Sequence, residues 1–216
     1  MENKPGSENL AGLEQAFFND GYRIALENIH KEDIDANLGP ALQELYSVLD
    51  SFINMFLKQA VDVGSPAHCA RGCSWCCHQA VFAQAYEIKY LKAWMFENLS
   101  AEMLDQIRKK AKEKKARTTK LSQEDRLLHK EACPLLWENA CLAYMARPVA
   151  CRIYLSSDVD SCKYEFHHPE DKSVFPQLFD LTLRAGRRLN EGFGARLSEL
   201  GYDVKEYALE EGVYGL

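Results

Sequence analysis

All eight cysteines of this 216-residue chain lie between residues 69 and 162, and four of them fall within "HCARGCSWCCHQ", residues 68–79. The flanking segments are rich in apolar positions and contain no cysteine. A residue used only as a small hydrophobe would be spread among those positions too. Cys69, Cys73, Cys76 and Cys77 do stand at i, i+4, i+7 and i+8, one face of a helix that Ser65 could cap and Pro66 could open. Gly72 in the middle of that helix argues against a cysteine-lined core face. Thiolates three or four residues apart in a turn can instead converge on one centre, and soft sulfur ligands select zinc or iron–sulfur clusters. Four thiolates at about 2.3 Å close a structural zinc site, and cysteine runs of short spacing hold iron–sulfur clusters.

The start, "MENKPGSENLAG", has neither the apolar core nor the small-residue cleavage site of a secretory signal. A cytoplasmic location is therefore expected, where thiols stay reduced and serve metals or catalysis more than disulfides. The most apolar helical stretch, residues 41–61, carries Glu44, Asp50 and Lys58, so no membrane span is expected. A formal net charge of −6 argues against general nucleic-acid affinity. The basic run "RKKAKEKKARTTK" at 108–120 is the only contrary hint, and it reads first as the solvated face of a helix.

Periodicity elsewhere is helical, which predicts a mainly α fold: an irregular helical domain with a loop-rich cysteine cluster and one small β-hairpin. Leu13, Phe17 and Ile24 mark a weak first helix before the polar "KEDIDANLGP". Leu42, Leu45, Leu49, Phe52 and Phe56 mark a stronger second one, with Pro40 near its start. Two more helices follow the cysteines, the second capped by Ser100. "CPLLWENACLAYM" suits a hairpin turning at Glu138–Asn139, the segment 146–171 reads as loop-rich, and the tail returns to helix until Gly201. The expected organisation is an acidic N-terminal helix or extension at 1–40, then a single metal-binding domain at 41–216. That domain holds the cysteine cluster at 69–162 and C-terminal helices at 176–212.

The expected ligands are Cys69, Cys73, Cys76, Cys77, Cys133, Cys141, Cys151 and Cys162. Adjacent Cys76 and Cys77 are awkward partners on one ion, so two centres, or one polynuclear cluster with reserve ligands, both suit eight thiolates. Such charge calls for compensation, for which Arg71, Arg147 and Arg152 stand beside the cysteines and the Gly72 turn offers backbone N–H groups. His78, His167 and His168 are alternative ligands. Cys69-x₃-Cys73-x₂-Cys76 also fits the radical S-adenosylmethionine cluster motif, but the strand–helix alternation of those enzymes is missing and a fourth cysteine follows at once. A metal-free thiol switch explains one or two cysteines better than eight.

"CARGCSWCC", followed by "CPLLWENACLAYMARPVACRIY" and Cys162, resembles the YkgJ-like cysteine-cluster family with its CxxxCxxCC motif. Glu87 falls where that family often has an acidic residue. The resemblance implies zinc or iron chelation. A related cluster occurs in the longer flagellin lysine N-methylases, but no glycine-rich nucleotide turn after a strand is visible here. The reading is a metal-binding protein, with an iron–sulfur cluster favoured over zinc on the number of thiolates and the first spacing. Redox, sensing or metal handling is its expected role, and a protein partner fits the helices outside the matched region. The alternatives are a structural zinc-binding interaction module and a protein-modifying enzyme related to those methylases.

Overall fold

The computed structural model describes residues 7–70 and 72–215, which form nine α-helices and two small antiparallel sheets. Helix α1 spans Ser7–Asn28 and α2 spans Ile34–Asp62. Expected to open near Pro40, α2 begins six residues earlier and runs through the proline. Its first turn is secured by Ala36 and Asn37 N–H groups on the Asp33 carbonyl. Pro40 therefore removes one bond within a helix whose face from Leu38 to Ile53 is buried.

The predicted hairpin is present. Strands β2 (Leu136–Trp137) and β3 (Ala140–Cys141) pair antiparallel, and Glu138 and Asn139 take φ of 47° and 61°. Positive φ at both central residues is the geometry of a two-residue turn that matches strand twist. Before it come β1 (Phe82–Gln84), α3 (Ala85–Asn98), α4 (Ala101–Thr118) and α5 (Gln123–Leu128). Ser100 caps α4 as expected, its hydroxyl accepting from Met103 N–H at 3.3 Å. The segment after the hairpin, expected as loop, folds into α6 (Val149–Ile153) and α7 (Val159–His167). Then come α8 (Asp180–Glu199), β4 (Glu206–Ala208) and α9 (Leu209–Tyr214). Gly201, at φ +80°, follows the end of α8, where Tyr202 N–H returns to the Leu197 carbonyl.

Two apolar clusters form the interior. The first joins α1, α2, α6 and α8 through Phe17, Ile24, Leu42, Leu49, Ile153, Leu189 and Phe193. Its tightest seam is α1 on α8. A Cβ added at Gly21 would lie 1.9 Å from the Leu189 carbonyl oxygen, and one at Gly192 would lie 1.9 Å from that of Phe18. Only glycine lets the two backbones meet this closely. The second cluster joins α3, α4 and α9 through Leu91, Met95, Ile107, Ala111 and Val213, and it includes Cys133. Strand β4 pairs with β1 and ties the C-terminus to the start of α3. No described helix is long and apolar enough to cross a membrane.

The basic run lies on α4 and its end, and much of it is engaged. Lys110 donates to the Leu136 carbonyl and sits 5.0 Å from the Trp137 ring centre. Buried Lys114 donates to the Glu131 carbonyl, and Arg117 pairs with Glu131. These contacts hold α4 against the segment that leads into the hairpin.

Candidate metal centre

The first cysteine stretch is not an α-helix. Gly72 takes φ +93°, a left-handed conformation that ends any helical run, and Trp75–His78 form one 3₁₀ turn. In such a turn residues three apart share a face. Trp75 and His78 accordingly grip the same ring, with centroids 5.2 and 5.0 Å from that of Phe166 on α7. Cys76 and Cys77 lie between these anchors. The 3₁₀ turn thereby binds the first cysteine stretch to the helix that carries Cys162.

Three chain segments bring the other thiols in. His68 N–H donates to the Ser156 carbonyl at 2.9 Å, and Ser156 N–H donates to Cys69 Sγ at 3.2 Å. The Ser156 and Ser161 hydroxyls both donate to the Asp158 carbonyl, at 2.8 and 2.7 Å, where the helix that carries Cys162 begins. Ser156 thus links the start of the first stretch to the start of α7. Cys133 N–H donates to the Cys77 carbonyl at 2.7 Å, and Glu131 N–H to the His78 carbonyl at 2.9 Å. The hairpin then sets Cys141 opposite Leu136. The Leu135 and Ala143 backbone N–H groups favour the Cys133 and Cys141 thiolates, against the larger effect of burial. Backbone N–H groups aimed at sulfur favour the thiolate over the thiol.

Burial opposes ionisation. It pushes Cys133 up to about 12 and Cys151 well above the ordinary thiol range, and it raises Cys69, Cys141 and Cys162. Cys76 is the exception, lowered to about 7 chiefly because the Cys77 thiol donates to it, with Arg147 assisting. Cys77 is raised by the same bond. All eight cysteines are free thiols, and among the described residues no three His, Cys, Asp or Glu side chains are drawn around one point as a metal requires. Ligation of a metal by thiols expels their protons and gathers the thiolates.

The donor set, all sulfur, fits zinc or an iron–sulfur centre. A second feature points the same way. Arg147 has buried Nε and Nη1 atoms without hydrogen-bond partners, its guanidinium lies 3.7 Å from the Tyr144 ring centre, and its charge helps lower Cys76 and partly offsets the rise that burial imposes on Cys141 and Cys151. A half-buried cation with two buried nitrogens lacking acceptors, within electrostatic reach of three of the thiols, suits a centre that carries negative charge. Arg152 is committed elsewhere. It donates to Asp50 at 2.5 Å and to the Arg147 and Met145 carbonyls at 2.9 and 2.5 Å, with its guanidinium 4.1 Å from the Tyr46 ring centre. This clamps the segment between the hairpin and α6 onto α2. Arg71 lies outside the described residues.

The histidines are also engaged. His78 Nδ1 meets the Ser74 carbonyl, His167 sits edge-on to Trp75, and His168 stacks on Tyr164. Sequence reasoning missed a polar chain beside the thiols. Gln79 donates to Tyr154 Oη at 2.8 Å and to Glu165 at 3.1 Å, and Glu165 pairs with the covered Lys130. The only signals for it were a glutamine two residues after Cys77 and a tyrosine just after "CRI". It also missed the role of Glu87, whose buried carboxylate takes four bonds. These come from Val149 N–H (2.7 Å), Gln84 N–H (3.1 Å), Tyr46 Oη (3.3 Å) and Asn190 Nδ2 (3.3 Å). The helix that bears Cys151 is anchored this way. A solvent-open cleft of about 510 Å³, lined by Gly72, Trp137, Glu138, Ala140, Cys141 and Leu142, reaches the hairpin thiol.

Residues 68–172 match the CxxCxxCC family, described as "Putative zinc- or iron-chelating domain". The match takes in every cysteine, so the resemblance carried by "CARGCSWCC" and the downstream half holds over this segment. No curated protein and no solved structure matches the chain.

Proposed function

We propose that this protein is a cysteine-cluster metal protein that holds an iron–sulfur centre through thiolates of Cys69, Cys73, Cys76, Cys77, Cys133, Cys141, Cys151 and Cys162. Its role is redox, sensing or metal handling in a reducing compartment. The observation that carries the reading is an all-cysteine donor set, three of whose thiols, Cys76, Cys141 and Cys151, lie within electrostatic reach of an Arg147 guanidinium with Nε and Nη1 lacking hydrogen-bond partners. An iron–sulfur centre supplies one-electron redox chemistry when bound. The chain's own part is to hold the Cys69 sulfur through the Ser156 N–H, to favour thiolate at Cys133 and Cys141 through the Leu135 and Ala143 N–H groups, and to offset negative charge with Arg147.

A second reading is a structural zinc module. It is favoured by Cys77, Cys133 and Cys141, which pack into the second apolar cluster, where a metal would cross-link the fold. Metal analysis with an ultraviolet–visible spectrum, on protein purified without oxygen and without a metal-affinity tag, separates the two. Iron and sulfide with broad visible absorption is the expected result. Colourless, iron-free protein from iron-replete cells refutes the iron–sulfur reading, and zinc in that sample establishes the second.

A further inference from the structure

Resting on the metal-binding reading above, the arrangement of the thiols carries one step more. Two sets of contacts divide them. On one side, the Ser156 N–H bonds Cys69, and the Ser156 hydroxyl donates to the Asp158 carbonyl at the start of the helix that carries Cys162. Cys69 and Cys162 each lie within electrostatic reach of Cys73 and Cys76. This side faces outward, with Cys69 exposed and Cys73 and Cys162 half-buried, and none of the three belongs to an apolar cluster. On the other side, the Cys77 carbonyl is bonded by Cys133 N–H, and the hairpin joins Cys133 to Cys141. Cys77, Cys133 and Cys141 pack together in the second apolar cluster. Cys151, at the middle of α6, lies within electrostatic reach of Cys76, Cys77, Cys133 and Cys141, and Cys76 is also within reach of Cys141, which puts Cys76 at the border of the two sets.

We infer that the eight thiols form two four-sulfur metal sites that meet at the Cys76–Cys77 pair. The outer site is Cys69, Cys73, Cys76 and Cys162, held by the Ser156 corner. The inner site is Cys77, Cys133, Cys141 and Cys151, held by the hairpin and α6. The adjacent cysteines give each site one ligand, which resolves why two thiols stand side by side in a segment otherwise spaced by two or three residues. Four sulfurs at each site match the closed coordination of a structural zinc or a cubane-type cluster.

The test is anaerobic titration of the full-length, reduced protein with Co²⁺, following thiolate-to-cobalt charge transfer and the ligand-field bands of tetrahedral cobalt. Wild-type protein is expected to take two equivalents per chain. Cys69→Ser and Cys162→Ser should each leave one equivalent, and so should their double variant, because both remove the same site. Cys141→Ser should leave the other equivalent, with a spectrum equal to the wild-type spectrum minus that of the Cys69→Ser protein. The cross-group double variant, Cys69→Ser with Cys141→Ser, should bind none. One equivalent in the wild type, or loss of both equivalents in any single variant, overturns the division in favour of one shared centre. If a hairpin variant fails to fold by circular dichroism, the exposed Cys69 position still decides between one remaining equivalent and none. Wild-type protein with no cobalt–thiolate absorption refutes metal binding itself, a result distinct from a single shared centre.

Discussion

Replacing Glu87 by glutamine tests the junction that carries Cys151. Each oxygen of the Glu87 carboxylate accepts two bonds: Val149 N–H and Tyr46 Oη at Oε1, and Gln84 N–H and Asn190 Nδ2 at Oε2. The side chain is 1% exposed, so water cannot substitute for a lost partner. Glutamine keeps one carbonyl oxygen for two of these donors and turns an NH₂ group toward the other two. Two buried donors left without acceptors cost about 1–3 kcal/mol each, for a total of roughly 2–6 kcal/mol. Burial also raises the Glu87 pKa above its ordinary 4.5. The sign follows from proton binding: between 4.5 and the raised value the folded state holds more protons than the unfolded one. The stability contributed by protonated Glu87 is therefore complete below about 4.5 and is lost as pH rises through the folded value. Urea denaturation of both proteins from pH 4 to 8 reads the two effects. The gap between wild type and Glu87→Gln should be widest at low pH and narrow as pH rises. A gap that does not change with pH would falsify the burial argument, and a gap below about 1 kcal/mol throughout would refute the four-bond junction.

The remaining predictions concern the helix seam, the arginines and the metal. Gly192→Ala should lower stability by about 3 kcal/mol, at the upper end for overpacking, because its Cβ meets the Phe18 backbone and not a movable side chain. Gly12→Ala on the open face of α1 should be neutral or stabilise by about 0.5–1 kcal/mol, and thermal melts that rank the two alike would sink the seam argument. Arg152→Ala should cost about 2–4 kcal/mol in urea melts, since it leaves the Met145 and Arg147 carbonyls and Asp50 without their donor. Arg147→Gln should leave the urea midpoint near wild type while weakening Co²⁺ affinity about 10–100-fold, and unchanged affinity would remove Arg147 from the centre. Stripping metal with a chelator under reducing conditions should lower Tm and expose the cysteine-bearing middle to protease, while α1 and α8 stay protected; an unchanged Tm would count against metal as a structural cross-link.

Much of this was legible in residue order. The long helices announced themselves through apolar spacing over several turns, as α2 does from Leu38 to Ile53. The hairpin was legible because Glu138 and Asn139 interrupt two apolar pairs, and Ser100 and Gly201 marked a start and a stop. The cysteines stood out through their absence everywhere else. Helices α6 and α7 did not, since five and nine residues are too short for periodicity to accumulate, and tertiary contacts such as Phe166 on Trp75 settle them. The β1–β4 pair joins three-residue strands more than a hundred residues apart, which no local pattern encodes. Arg152 misled for a similar reason: its neighbours in sequence are cysteines, whereas its partner Asp50 lies 102 residues away.

The glycine seam between α1 and α8 also bears on how the protein is made. Some 150 residues separate Asn28 from Asp180, and at about 5–20 residues per second a ribosome needs roughly 8–30 s to synthesise them. Through that interval α1 has α2 to lean on but lacks the partner its glycine face was shaped for. The cysteine-bearing middle emerges before the clasp between chain ends can close. Nascent-chain thiols are therefore accessible to metal, oxidant or chaperone while the first apolar cluster is still missing one of its four walls.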